Sequence, residues 1–262
     1  MSEVRYDKLK KLQAIWPKHV VMPAHWLNEQ GFYPTLLDRY KKSGWLDSVG
    51  RGAYKLAADT VGWKGAVFGL QKGYPETLHV GGISALELHG STHFVRMSPK
   101  TNIYLYSRSV QKLPTWASRC DWTEASLKLI HTGFLDTDIG LIDFSDGDFS
   151  ITVSCRERAM LEMLYSVNTL FSLVDCNLIM ENLNTLMPDM VQSLLNRCHS
   201  VKAARLFLFL AKRNGHKWFG ELALTSINLG AGDRQFVQNG AYDAEFKITY
   251  PKELFADDRV EF

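Results

Sequence analysis

Three side chains in the segment "PTLLDRYKKSGW" have a spacing that suits recognition of a polyanion: Thr35, Arg39 and Lys42. On an α-helix they fall on one side, because residues three, four and seven apart share a face. Asp38 falls among them, Lys41 adjoins them, and Arg51 follows between two glycines, with Lys55 beyond it. A guanidinium can hold a phosphate or read a guanine edge, whereas an ammonium group acts as a point charge on phosphate. The sequence leaves both roles open for Arg39, and assigns Lys41, Arg51 and Lys55 to phosphate. Asp38 would repel phosphate. It could instead accept from a cytosine amino group or be offset by Arg39.

Other groupings carry less chemistry. His89 and His93 in "HGSTH" are four apart, but Gly90 and Ser91 interrupt a helix there, and no glutamate follows the first histidine as a zinc-protease motif requires. Asp136, Asp138, Asp143, Asp146 and Asp148 lack the spacing of a calcium loop and read as turn and solvent-face residues. Asp136, Asp143 and Glu157, gathered from distant segments, would be the carboxylates of a metal-dependent nucleic-acid enzyme, the least favoured alternative. Neither GxSxG nor GxxxxGK[ST] occurs. The four cysteines form no CxxC pair and read as buried free thiols. The Gly81-Gly82 pair reads as a tight helix entry more readily than as a phosphate cradle, with Ser84 and Glu87 as a capping box. No metal, cofactor or catalytic residue is expected.

The elements that must position the basic residues follow from apolar periodicity. Tyr6, Leu9, Leu12, Ala14, Ile15 and Trp16 mark a first helix, which Pro17 ends. "MPAHWLNEQG" reads as a second, opened by Pro23 and stopped by Gly31. Pro34 opens a third, with Tyr33, Leu36, Leu37 and Tyr40 on the side opposite the charges and Gly44 at its end. "WLDSV" and "AYKL" are short strands around Gly50-Arg51-Gly52. This is the order of a winged helix-turn-helix, whose last helix enters a DNA major groove and whose hairpin touches the backbone or the minor groove. The same fold can instead dock a protein, and that is the first alternative.

The charge distribution agrees with the DNA reading. Residues 1–57 hold ten Lys and Arg against five Asp and Glu, an excess of five positive charges on a chain whose net charge is +2. The remainder is therefore net negative, which singles out the amino-terminal region for a polyanion.

After residue 58 the pattern becomes mixed. "TNIYLYS", "ASLKLIHTG" and the hairpin "GLIDFSDGDFSITVS" are strands, the last turning at Asp146-Gly147. Ser154 and Glu157 suggest a capping box opening the helix "CRERAMLEMLYSV". Further helices are expected over 169–187, 188–198 and 201–214, the last apolar on several faces and stopped by Gly215. "RQFVQNGAYDAEFKITYP" reads as a terminal hairpin around Asn239-Gly240. The expected architecture is α+β: a winged helix over residues 1–58, then a mixed α/β domain over 59–262 with a separable helical part at 155–215. No apolar run is long enough to span a bilayer, and the charged start lacks a signal-peptide core, so a cytoplasmic location without membrane contact is expected.

Landmarks along the chain carry a further resemblance: "LLDRYKKSGWLDSVGRGAYKL", "GWKGAVFGLQ", "LHVGGISALELHG", "LPTW", "SCRERAMLEMLYSV", "CHSVKAARLFLFLA" and "NGAYDAEFKITYP". In order and spacing the chain resembles the AbiEi antitoxins of type IV toxin–antitoxin systems, nearly end to end. The resemblance implies a winged helix that binds and represses the promoter of its own operon, with inverted repeats as the expected site geometry. It implies a carboxy-terminal part that counteracts a co-encoded nucleotidyltransferase-like toxin, without requiring a stable complex. It also implies that the toxin, not this chain, is the enzyme. The residues carried over are Thr35, Arg39, Lys41, Lys42, Arg51 and Lys55. Arg156, Arg158 and Glu162, and the cluster Lys202, Arg205, Lys212 and Arg213, read more readily as structural ion pairs than as an antitoxicity surface.

Overall fold

A computed structural model of the chain describes residues 2–74, 78–91 and 101–259, with side chains described between residues 8 and 255 of those ranges. His93 and the side chain of Tyr6 lie outside the described residues. The chain divides into two compact units, neither continuous in sequence. The first combines Met1–Val80, Arg96–His131 and Asp143–Val153; the second combines Gly81–Val95, Thr132–Ile142 and Ser154–Phe262. The winged helix is one part of the first unit.

That unit opens with helix α1 (Ser2–Ile15), strand β1 (Met22–Pro23), helices α2 (Ala24–Glu29) and α3 (Pro34–Lys42), and strands β2 (Leu46–Gly50) and β3 (Ala53–Leu56). Leu36, Leu37 and Tyr40 of α3 are buried, as are Leu12, Trp16, Leu27, Phe32 and Leu46. Ala14 is exposed. The helix α3 ends in a Schellman motif: Trp45 N–H donates to Tyr40 O at 2.9 Å and Gly44 N–H to Lys41 O at 3.1 Å. Gly44 has φ +74°, the left-handed conformation this cap needs. The wing sheet has three strands in the order β1-β3-β2. Two-residue β1 carries no period-2 signal in the sequence, so the hairpin alone was to be expected.

The rest of the unit centres on a five-stranded mixed sheet. Helix α4 (Trp63–Gly73) and strand β4 (His79–Val80) precede helix α5 (Gly82–Leu88), which belongs to the second unit. Strand β5 (Thr101–Ser107), helix α6 (Thr115–Arg119), and strands β6 (Ala125–His131), β7 (Leu141–Asp146) and β8 (Phe149–Ser154) follow. The strand order is β6-β5-β4-β8-β7. Strands β5 and β6 are parallel, from Thr101↔Ala125 to Ser107↔His131, with α6 in the crossover. Gln71 fastens α4 to the sheet by exchanging hydrogen bonds with Thr152 at 2.9 Å each way. The glycines of "GWKGAVFGLQ" serve close approach: a Cβ on Gly65 would lie 1.8 Å from His19 O, and one on Gly69 2.4 Å from Val21 O.

The second unit is largely helical: α5, then α7 (Arg156–Tyr165), α8 (Leu173–Met180), α9 (Pro188–Asn196) and α10 (Val201–Arg213). Ala203 through Ala211 of α10 are all buried, in keeping with an apolar surface on every face. Helix α8 is shorter than the expected 169–187 because Ser172 and Asp175 form its capping box. The two boxes expected from sequence do not form. Ser84 is buried inside α5, whose N-cap is Gly81, and α7 is capped at Cys155 without a side-chain bond. At α7 the two residues are buried and engaged elsewhere: Ser154 Oγ donates to Glu162 Oε2 at 2.8 Å, and Glu157 accepts from Met187 N–H at 2.9 Å.

The terminal hairpin also differs from expectation. Strands β9 (Arg234–Gln235), β10 (Ala241–Asp243) and β11 (Ile248–Tyr250) are ordered β10-β11-β9. The hairpin is β10–β11, while β9 pairs parallel to β11. Asn239-Gly240 leads into β10 and is not the hairpin's turn. Gly240 is instead pressed against Tyr250 O, where a Cβ would come within 2.2 Å.

Candidate nucleic-acid interface

The exposed side of α3 carries the residues the spacing predicts. Thr35, Asp38, Arg39, Lys41 and Lys42 are exposed, and so is Arg51 at the wing tip. Arg39, Lys41, Lys42 and Arg51 make no ion pair or side-chain hydrogen bond among the described residues. Their charges are uncompensated, so together they make a positive face on a helix followed by a positive wing tip.

Not every basic residue of this region is available in that way. Lys55, on β3, is half-buried; it donates to Asp59 O and lies 3.7 Å from Asp47 Oδ2. Lys8 donates to the Tyr33 hydroxyl at 2.8 Å and sits 4.7 Å from that ring's centroid. Lys11 donates to Gln30 O at 3.0 Å. Two lysines of α1 therefore brace the helix-turn-helix. Tyr33 departs from expectation here. It is the N-cap of α3, with extended backbone, so its side chain leaves the helical register and is 49% exposed. Its hydrogen bond from Lys8, then the Lys8 charge, lower the phenol's pKa.

Asp38 is exposed on α3. The Tyr54 phenol on β3 has its pKa raised first by burial and then by the Asp38 carboxylate. The wing is itself braced. A Cβ on Gly50 would lie 2.9 Å from Trp116 Cβ and 3.3 Å from Trp116 Cα, and Cys120 Sγ–H points at Val49 O across 3.6 Å. Gly50 is thus needed where β2 meets α6, and the turn proper is Arg51-Gly52, with Gly52 at φ +77°.

The other groupings have structural occupations. Glu162 Oε2 accepts from Gly82 N–H at 3.0 Å, so a carboxylate stands at the start of α5 where a phosphate was considered. Arg158 Nε donates to Glu162 Oε1 at 2.9 Å, and its Nη1 donates to Thr137 O and Ile139 O. Arg205 is buried and donates to four backbone carbonyls, those of Leu229, Gly230, Gly232 and Lys247. Lys202 donates to Val167 O, Lys212 pairs with Glu245, and Arg213 stacks on Phe255. Arg156 donates to His89 O at 3.4 Å. Asp136 pairs with His199 at 3.1 Å and Asp146 with Lys64 at 2.7 Å. Among the described residues no three His, Cys, Asp or Glu gather as a metal site would need, and no helix is long and apolar enough to cross a membrane. Burial raises the thiol pKa of Cys155 to about 12 and of Cys198 to about 11.

Fold and basic face together define a winged-helix protein with a mixed α+β body. Residues 5–97 match the family model of the transcriptional regulator AbiEi antitoxin N-terminal domain, and residues 100–251 match that of the transcriptional regulator AbiEi antitoxin of type IV toxin–antitoxin systems. The chain belongs to the AbiEi family of antitoxins and transcriptional regulators. Among solved structures it is similar to the RV2827C protein from Mycobacterium tuberculosis, with 12% identity and a TM-score of 0.53 over 88% of this chain and 86% of that one. At that identity the likeness is one of fold. No curated protein matches the chain.

Proposed function

We propose that this chain binds the promoter DNA of its own operon through α3 and the wing, represses it, and counteracts a co-encoded nucleotidyltransferase-like toxin. The observation that carries the DNA reading is the set of four cations, Arg39, Lys41, Lys42 and Arg51, exposed without partners among the described residues. An α-helix with its side chains is about 10–12 Å across, which a major groove about 12 Å wide admits. Thr35, Arg39 and Lys42 face the groove, Lys41 and Arg51 meet phosphates, and Lys55 supports the wing through Asp47 and Asp59. Two copies on inverted repeats would double the contact. Family membership supports the regulatory and antitoxic roles.

A gel-shift assay on the intergenic DNA upstream of the chain's own gene tests the DNA half. Retardation at low salt, weakened by Arg39→Ala, Lys42→Ala and Arg51→Ala, is the expected result. No retardation of any upstream sequence sinks it, and loss of a protein complex with the same substitutions would favour protein docking. Co-expression with a neighbouring nucleotidyltransferase-like reading frame tests the other half: growth should be restored, and toxicity undiminished by this chain would refute it.

A further inference from the structure

Trp45 is the residue between α3 and the wing, and it is 45% exposed although its neighbour Leu46 is buried. A single exposed apolar side chain is ordinary on a protein surface. Trp45 is set apart by how it is held. Its N–H donates to Tyr40 O at 2.9 Å, and its C=O accepts from Ala57 N–H at 3.0 Å. The backbone is fixed on both sides, so only the two side-chain torsions are left to order on contact. Its indole N–H has no acceptor among the described residues.

The surroundings favour a polyanion. Lys41 and Lys42 precede it by one turn of chain, and both are without protein partners among the described residues. The nearby carboxylate of Asp47 is answered by Lys55 at 3.7 Å, so it repels less than a bare one. Tyr33, the exposed aromatic at the other end of α3, differs in that its hydroxyl and ring are both engaged by Lys8. Indole combines an apolar face, suited to a deoxyribose, with one donor, suited to a phosphate oxygen.

We propose that Trp45 is a DNA-contact residue, its ring lying on the sugar–phosphate backbone beside the groove that α3 enters and its Nε1–H donating to a phosphate oxygen. The inference rests on the DNA-binding reading given above. It assigns the corner between recognition helix and wing a contact that is rigid and uncharged, and that fixes register more than it adds electrostatic attraction.

Fluorescence anisotropy of the full chain on a labelled duplex of its upstream intergenic DNA tests this. Trp45→Ala should raise Kd about tenfold, the size expected of a buried aromatic contact. The slope of log K against log salt should stay at the wild-type value, since no charge is removed. Trp45→Phe keeps a ring without the N–H and should fall between. Because about half of the ring already lies in solvent, the melting temperature should fall by no more than a few degrees, so the variant stays folded at the assay temperature. Wild-type affinity in Trp45→Ala, with Arg39→Ala impaired, would overturn the Trp45 inference and leave DNA binding standing. A wild-type chain that binds no upstream DNA would overturn both.

Discussion

Arg39 and Lys55 are both basic residues of the winged helix, yet their surroundings give them different work. Arg39 is exposed without a protein partner among the described residues; Lys55 is tied to Asp59 O and Asp47. Helical spacing was enough to place Arg39 on the exposed side of α3. The contacts of Lys55 carry no such signal, because Asp59 reaches it through a turn without a period. Tyr33 was misplaced for a related reason: a cap residue does not follow the register of the helix it caps. A different residue ties the fold to pH. His216 is buried, its Nε2 lies 2.8 Å from Met180 O, and its ring stacks on Trp218 at 5.0 Å. Burial pushes its pKa below the usual histidine value, against a hydrogen bond to Met180 that acts the other way. The folded chain keeps the imidazole neutral where the unfolded chain, near pH 6.5, takes up a proton. Its contribution is therefore intact above about pH 6.5 and is lost progressively below it, toward the lower folded pKa. Thermal melts should show Tm falling over that range, and His216→Gln should make the fall shallower. An unchanged slope in the variant would show that other groups govern the acid response.

At the scale of elements, α3 and the wing were readable because each has a strong local signal: two faces at a 3.6 period, and glycines around a turn. Their support was not. Gly50 looked like part of the turn, whereas it marks where β2 presses on Trp116, a residue far along the chain. Gly50→Ala would force the Trp116 backbone away and should cost about 1–3 kcal/mol, as overpacking does. Affinity for promoter DNA should fall with it, although every basic residue remains; chemical denaturation and the gel shift check the two effects separately. The capping boxes at Ser84 and Ser154 failed because sequence spacing cannot tell an exposed serine from a buried one. What organises α5 and α7 is Glu162, which accepts from Gly82 N–H, Ser154 Oγ–H and Arg158 Nε–H. Glu162→Ala should destabilise by about 3–5 kcal/mol, leaving Arg158 buried without its partner, with Glu162→Gln milder. Urea titrations followed by circular dichroism measure this, and a near-neutral Glu162→Ala would mean the network is dispensable.

Over the whole molecule, the α+β class was legible from the order of strands and helices and the family from the order of landmarks; the element order bears out the first and the family matches the second. The interleaving of the two units was not legible, because Gly81–Val95 and Thr132–Ile142 join the helical unit from within the strand-rich part of the sequence. The winged helix likewise depends on a later segment of the chain. The family match for the amino-terminal part ends at residue 97, whereas the wing's brace, α6, lies at Thr115–Arg119. The central claim is that α3 and the wing tip hold DNA through uncompensated charge. Its most direct measurement is the salt dependence of binding to the upstream intergenic DNA, for the wild-type chain and for the triple variant Arg39→Ala, Lys42→Ala, Arg51→Ala. The slope of log K against log salt should shrink by at least about 0.9 for the Arg51 phosphate contact, and by up to about 2.7 where Arg39 and Lys42 reach phosphates as well, at roughly 0.9 per phosphate contact. A wild-type slope in the triple variant, or no binding by the unaltered chain at low salt, would contradict the account.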